Sequence, residues 1–170
     1  KKYNVCMDAN NFTPINLLDL IKILDKRDIN NHNKEKEMFK LLKIENARMN
    51  VPSPAYYDVT AGEAVAIGEA LVLTAGKLTK CGAQVKPEFI AMGDKAATAE
   101  DRKLAVARCA PNQLYGVPVT ATPTSLKPGD KVTLHTDGLQ VTATTSNGVV
   151  TVESVNGATA AGDEIVVRIV

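Results

Sequence analysis

The distribution of glycine constrains the fold of this chain more than any other feature. All eleven glycines lie after residue 50, between Gly62 and Gly162. Glycine weakens a helix, but it readily adopts the positive φ angles that tight turns require. The glycine-free part therefore favours helix, and the rest favours short strands joined by hairpins. Pro52 and Pro54 mark the boundary, because proline disfavours helix and favours extended chain.

Residues 1–50 have the pattern of a helical arm. Thr13-Pro14 is a good helix start, with a capping side chain followed by proline at the first helical position. Asn33 is placed to cap a second helix after a short polar connection, so we expect a helical hairpin. Each helix would carry an apolar stripe at helical spacing. The stripes consist of Leu17, Leu20, Ile21 and Leu24 in the first helix, and of Met38, Leu41 and Leu42 in the second.

These seven apolar residues are the predicted partner-binding residues. A two-helix hairpin has no core of its own in which to bury them. The stripe must therefore dock on the rest of the chain, on a neighbouring subunit or on a partner. Our hypothesis is that the first stripe makes an intermolecular contact.

The chain after the prolines changes to the pattern of a small antiparallel β-barrel or sandwich. Short apolar runs recur at a spacing of about ten residues, separated by turn signals such as Asp137-Gly138, Asn147-Gly148 and Asn156-Gly157. The predicted strands are Glu63–Ile67, Ala70–Thr74, Lys77–Lys80, Phe89–Met92, Leu104–Cys109, Tyr115–Ala121, Lys131–His135, 139–143, Val149–Val155 and Glu164–Val170. The predicted fold is thus mainly β with an N-terminal α-helical arm, divided into an arm (1–50), a proline-containing linker (51–57) and a β domain (58–170).

Charge and composition argue against several classes of partner. The net charge of the 170 residues is +1, from +3 in residues 1–50 and −2 in residues 51–170. A nearly neutral chain has little attraction for phosphate, so we expect no nucleic-acid partner. No apolar run approaches the roughly 20 residues that span a bilayer, so we expect no membrane association. The odd number of cysteines, without C-x-x-C spacing or a signal-peptide pattern, predicts free thiols in a reducing compartment.

The sequence offers weak catalytic candidates and no cofactor motif. His135 and Asp137 are two residues apart at a strand end, and therefore share a face, but the turn signal at Asp137 explains that residue equally well. Glu63 and Glu69 could form a carboxylate pair of the kind that glycoside hydrolases require, but each directly follows a glycine and is more simply a polar edge of the hairpin region. Phosphate-binding, dinucleotide, zinc-protease and hydrolase motifs are missing. We therefore expect no enzyme activity, no metal and no cofactor.

Residues 58–170 resemble a known family in their order of turns and hairpins. The segments that carry the resemblance are 60–63, 68–73 and 76–80, followed by 87–92, 128–134 and 137–142. The pattern is similar to that of the capsid decoration proteins of tailed phages, also called head auxiliary or cement proteins. Residues 1–50 have no counterpart in this resemblance.

The resemblance implies a non-enzymatic virion protein that binds the outside of a phage head, after synthesis in the host cytoplasm. Its partners would be the major capsid protein and neighbouring copies of itself, in a homo-oligomer or side by side on the shell. One alternative is another structural or binding module of the particle, such as a head–tail, tail or surface adhesion protein. An enzyme that uses His135 with Asp137 or with a cysteine such as Cys109 is the other alternative.

Overall fold

The computed structural model describes residues 38–45, 52–98 and 103–170, and these residues form two five-stranded antiparallel sheets. Along the chain the strands are β1 (Lys40–Ile44), β2 (Ala55–Tyr57), β3 (Ala70–Thr74), β4 (Lys77–Lys80), β5 (Phe89–Ala91), β6 (Leu104–Arg108), β7 (Gln113–Pro118), β8 (Lys131–Val132), β9 (Val150–Ser154) and β10 (Glu164–Arg168). Sheet A has the order β1-β7-β10-β9-β8, and sheet B has the order β2-β6-β5-β3-β4.

Sheet B contributes residues from each of its two faces to a different hydrophobic core. Alternate residues of one strand point to opposite faces, so Ala70 and Ile90 join the first core while Leu71 and Phe89 join the second. The first core also contains the inward side chains of sheet A, such as Val117 and Ile165. The second core is closed by Val59 and Val65, which lie outside the regular strands. Sheet B is therefore the central layer of the fold.

The predicted helical arm is wrong where the structure describes it. The segment that was predicted to form the second helix, with Met38, Leu41 and Leu42 in its stripe, contains strand β1, and the described residues contain no helix at all. Inward-facing Leu41 pairs with Tyr115, and a β-bulge then inserts Leu42 before Lys43 pairs with Leu114. The bulge adds one residue to the strand. Inserted Leu42 follows Leu41 directly, which gives the sequence two adjacent apolar residues of the kind that a helical stripe contains, although Leu42 itself is exposed.

The prediction for the first helix lies outside the described residues. Within them, the fold class of mainly β with a helical arm is replaced by an all-β fold. Strand β1 falls inside the range predicted as the arm, and β2 falls inside the range predicted as the linker. The described residues hold no helix that could cross a membrane.

Contacts at both ends of strand β1 hold it against sheet A. At its start, Phe39 is only 3% exposed and meets the ring of Tyr115 edge-on, with ring centroids 6.2 Å apart. Just beyond its end, the Glu45 carboxylate accepts a hydrogen bond of 3.0 Å from Arg168 Nη1. Arg168 also donates to Glu153 on β9 and to the carbonyl of Pro111. These carboxylates raise the pKa of Arg168, and the charge-assisted bonds hold the end of β1 against two other parts of the fold.

Most of the predicted strands after residue 68 are present, but the strands predicted at Glu63–Ile67 and at 139–143 are not, and the second of these segments has only the isolated bridges of Val141. Residues 63–67 contain a single bridge between Val65 and Lys95, with no ladder. Val65 is 3% exposed and belongs to the second core. The alternation in this segment therefore reflects one buried anchor between two turns. Gly62 and Gly68, both with positive φ, bound the segment on either side.

The turn between β3 and β4 has an unusual residue at its first central position. Ala75 and Gly76 have φ angles of 49° and 81°, as a type I′ turn requires. The Asn156-Gly157 turn has the same signs, with φ angles of 51° and 75°. Alanine in this region is strained by its Cβ atom, whereas asparagine tolerates it. The β3–β4 hairpin therefore carries local strain that the later hairpin avoids.

We expect Ala75→Asn to stabilise the protein by about 1 kcal/mol, because it relieves this strain. The change is measured as an increase in the urea midpoint of unfolding at unchanged slope. The matched control is the reverse change, Asn156→Ala, which should lower the midpoint by a similar amount. A neutral or destabilising Ala75→Asn would show that the turn does not carry this strain.

Candidate functional site

An apolar groove opens between the edge of sheet A and the exposed part of sheet B. Its volume is about 370 Å³, and its lining includes Met38, Phe39, Leu41, Ile90, Met92 and Tyr115. Grooves of this kind, apolar and open on one side, are typical of binding sites for ligands or partner side chains. We therefore take this groove as the candidate site.

One side of the groove forms where the segment before β1 closely approaches Gly68, in the segment before β3. The backbone N–H of Phe39 donates to the carbonyl of Gly68 over 3.1 Å. A Cβ atom on Gly68 would lie 2.5 Å from the Cβ of Met38, and Gly68 has a φ of +75°. Only glycine meets both requirements without displacing its neighbours. Gly68 therefore sets the position of Met38 and Phe39 on one side of the groove.

An exposed apolar row extends the groove along sheet B. Tyr56 pairs with Ala105, and the N–H of Met92 donates to the carbonyl of Ala105 over 2.9 Å. Tyr56 is 59% exposed and Met92 is 39% exposed, while Ile67 at the rim of the groove is 47% exposed. Contiguous exposed apolar side chains mark interaction surfaces more often than scattered ones do. We call the groove together with Tyr56, Ala105 and Ile67 the apolar face.

Two of the predicted partner-binding residues line this groove, although they lie on a strand and not on a helix. Met38 and Leu41 are both part of the lining. Leu42 is the inserted residue of the bulge, and half of its side chain is exposed. Leu17, Leu20, Ile21 and Leu24 lie outside the described residues. The sequence therefore indicated part of the apolar face, but it did not indicate the contributions of Tyr56, Ile67 and Met92.

His135 and Asp137 form the close pair that their spacing predicts. His135 Nδ1 lies 2.9 Å from Asp137 Oδ2. The other oxygen of Asp137 accepts hydrogen bonds from the backbone N–H groups of Leu139 and Gln140. Asp137 therefore has the role of a turn residue. An Asp-Gly pair predicts a type I′ turn, but this turn is of another type, because Gly138 alone has a positive φ and its N–H donates to the His135 carbonyl.

Cys81 and Cys109, the cysteines in the described part of the chain, are not activated as nucleophiles. Burial raises the pKa of Cys81 to about 12, and burial also raises the pKa of Cys109 to about 12. The thiolate is the reactive form of cysteine, so both thiols stay protonated near neutral pH. Cys81 instead donates a hydrogen bond to the carbonyl of Val85 over 3.0 Å. In the part of the chain that the structure describes, no three His, Cys, Asp or Glu residues form a group that could hold a metal ion.

Glu63 and Glu69 each have a structural contact with Lys80. Glu63 accepts a hydrogen bond from the backbone N–H of Lys80 over 3.1 Å. Glu69 is buried, and its Oε1 lies 3.2 Å from the Lys80 ammonium nitrogen. The burial of Glu69 was missed by sequence reasoning. One signal was available, since Glu69 lies directly before the apolar run of β3.

Comparison with protein-family models and with curated proteins identifies no relative of this chain. No protein-family model matches the chain, and no curated protein matches its sequence significantly. The similarity of residues 58–170 to capsid decoration proteins therefore stays a prediction.

Proposed function

We propose that this protein is a non-enzymatic structural component of a tailed-phage particle. In this proposal it binds the outer surface of the capsid and stabilises the contacts between major capsid subunits. The observation that carries the proposal is the apolar face, a groove extended by exposed apolar side chains of sheet B. The resemblance in the order of turns and hairpins supports the same function.

The proposed mechanism requires binding energy and no chemistry. A protein that binds the assembled shell but not the separated subunits shifts the equilibrium toward the shell by mass action. The apolar face supplies a hydrophobic contact, which is the type of contact that dominates the stability of protein interfaces. Many copies on one shell would each add such a contact, either as separate molecules or as a homo-oligomer.

The test of this function uses purified capsids that lack the protein. We expect the wild-type chain to bind them saturably and to raise the temperature at which they disassemble. Met92→Glu places a charge on the apolar face and should weaken binding about 10-fold or more, as expected when a residue at the centre of an interface is lost. The matched control is Val85→Glu, since Val85 is also exposed but does not line the groove.

Different outcomes of this experiment test the proposed function and the proposed binding surface separately. If the wild-type protein does not bind any head of its own phage, the proposed function is wrong. If Met92→Glu and Val85→Glu bind equally well and both variants are folded, the capsid contact lies elsewhere on the protein. The copy number in purified particles distinguishes a decoration protein from the alternative of a head–tail, tail or adhesion module.

A further inference from the structure

Glu69 is a buried carboxyl group at the junction between the two sheets. Its side chain is 2% exposed. Its Oε2 accepts a hydrogen bond of 2.9 Å from the backbone N–H of Ala66, and its Oε1 forms an ion pair with Lys80. The Lys80 side chain is 42% exposed, so this counter-charge is partly screened by water. The carboxyl group is therefore more deeply buried than the cation that faces it.

The loop that begins at Leu134 and ends at Val141 packs directly against Glu69. The backbone N–H of Ala70 donates to the carbonyl of Gly138 over 2.8 Å, and the N–H of Leu134 donates to the carbonyl of Ala83 over 2.9 Å. A Cβ atom on Gly138 would lie 3.1 Å from Glu69 Cγ. We call residues 134–141 the docking loop. They follow β8 of sheet A, and they contact the start of β3 in sheet B through the hydrogen bond from Ala70 to Gly138.

The charges around Glu69 come from three elements. Lys80 on β4 is the nearby cation, and Asp137 in the docking loop is the nearby anion, itself paired with His135. Glu63 lies in the loop before β3, and its carboxylate accepts a hydrogen bond from the backbone N–H of Lys80. Burial raises the pKa of Glu69 above its ordinary value, and the Asp137 charge adds to the increase. The Ala66 N–H and Lys80 act in the opposite direction but do not cancel it.

We propose that Glu69 and the docking loop form a latch that tightens in acid. Uptake of one proton by the Glu69 carboxyl group strengthens the attachment of the loop to β3, and loss of that proton weakens it. Protonation removes a buried charge and its repulsion from Asp137. It leaves the second carboxyl oxygen free to accept the hydrogen bond of Ala66. This proposal does not depend on the capsid function.

The direction of the pH effect follows from linkage. A group that holds its proton more tightly in the folded state than in the unfolded state stabilises the fold where both states are protonated. For Glu69 this contribution is fully present below the ordinary pKa of glutamate, and it is lost as the pH rises through the higher folded pKa. Above that range the ionised carboxylate remains in its buried position without this contribution.

The test compares thermal unfolding of the wild-type protein and Glu69→Gln at about pH 5 and about pH 8. Glutamine resembles the protonated carboxyl group and keeps an acceptor for Ala66. We expect the variant to unfold about 2–4 °C above the wild type at the higher pH, with a smaller difference at the lower pH. The matched control is Glu63→Gln, which removes a more exposed carboxylate that also contacts Lys80, and it should show no gain at the higher pH.

A second measurement observes the latch directly. The amide of Ala70, which bonds the docking loop, should exchange its hydrogen more slowly in the wild type as the pH falls, after correction for intrinsic exchange. In Glu69→Gln its protection should not change with pH. The proposal is overturned if Glu69→Gln has no stability advantage over the wild type at the higher pH. If the variant does not fold, NMR titration of the wild-type carboxyl group decides, and a midpoint at or below the ordinary glutamate value refutes the proposal.

Discussion

Deletion of residues 1–50 should unfold the rest of the protein, because it removes strand β1 from sheet A. The glycine-free pattern suggests a separable arm, but β1 pairs along its length with β7. Phe39 is buried in the first core, and Leu41 packs against that core. Burial of two large apolar side chains contributes about 2–3 kcal/mol each. Their loss, together with the β1 ladder, is comparable with the total stability of about 5–15 kcal/mol for a domain.

The informative control is a shorter truncation. The compact unit that contains all of the described residues begins at Glu35, so a chain that starts there keeps β1, Phe39 and the Arg168–Glu45 pair. We expect this chain to unfold cooperatively in urea with a midpoint close to that of the full protein. The chain that starts at residue 51 should show no cooperative transition, and it should lose the dispersion of its NMR spectrum. Cooperative folding of the shorter chain would show that β1 is dispensable.

Much of sheet B and the later strands of sheet A could be predicted from local sequence. Turn residues determine where a strand must stop, as in the Ala75-Gly76 turn between β3 and β4 and the Asn156-Gly157 turn after β9. Both of these turns have positive φ angles at their two central residues. Most of the predicted strand ranges after residue 68 therefore overlap observed strands, although Lys131–His135 is reduced to the two residues of β8 and 139–143 to the isolated bridges of Val141. In this part of the chain, local turn chemistry and alternation agree with the final fold.

Strand β1 could not be predicted in the same way, because its structure depends on distant residues. The spacing of Met38, Leu41 and Leu42 is compatible with a helix. What decides in favour of a strand is the free edge of β7 and the pocket for Phe39 beside Tyr115. Both lie more than sixty residues further along the chain. Intrinsic helix preference is a weak term, and such tertiary contacts override it.

The apolar face and the burial of Glu69 could not be predicted from the sequence for a related reason. Tyr56, Met92 and Ile67 come from separate segments, and only the pairing register of sheet B brings Tyr56 and Met92 to the same residue, Ala105. Glu69 is buried because the docking loop covers it, and that loop is remote in sequence. Sequence patterns report which residues prefer to be buried, but they do not report which segments meet.

Gly148→Ala should destabilise the protein strongly, although Gly148 does not have a positive φ angle. A Cβ atom at this position would overlap the carbonyl group of Lys131 and the backbone nitrogen of Val132. Both belong to β8, which pairs with β9, and Val132 is fully buried in the first core. Backbone in a packed strand cannot move away as a flexible side chain can. We expect a loss of about 3 kcal/mol, at the upper end of the usual range for overpacking.

The matched control for this prediction is Gly157→Ala. Gly157 has a φ of +75°, and a Cβ atom there would meet no atom within 4 Å. Its substitution therefore measures conformational strain without a steric clash, which is worth about 1–2 kcal/mol. Urea unfolding of both variants gives the comparison, with Gly148→Ala expected to have the lower midpoint. If the order is reversed, close packing of the Asn147-Gly148 turn on β8 does not require glycine at residue 148.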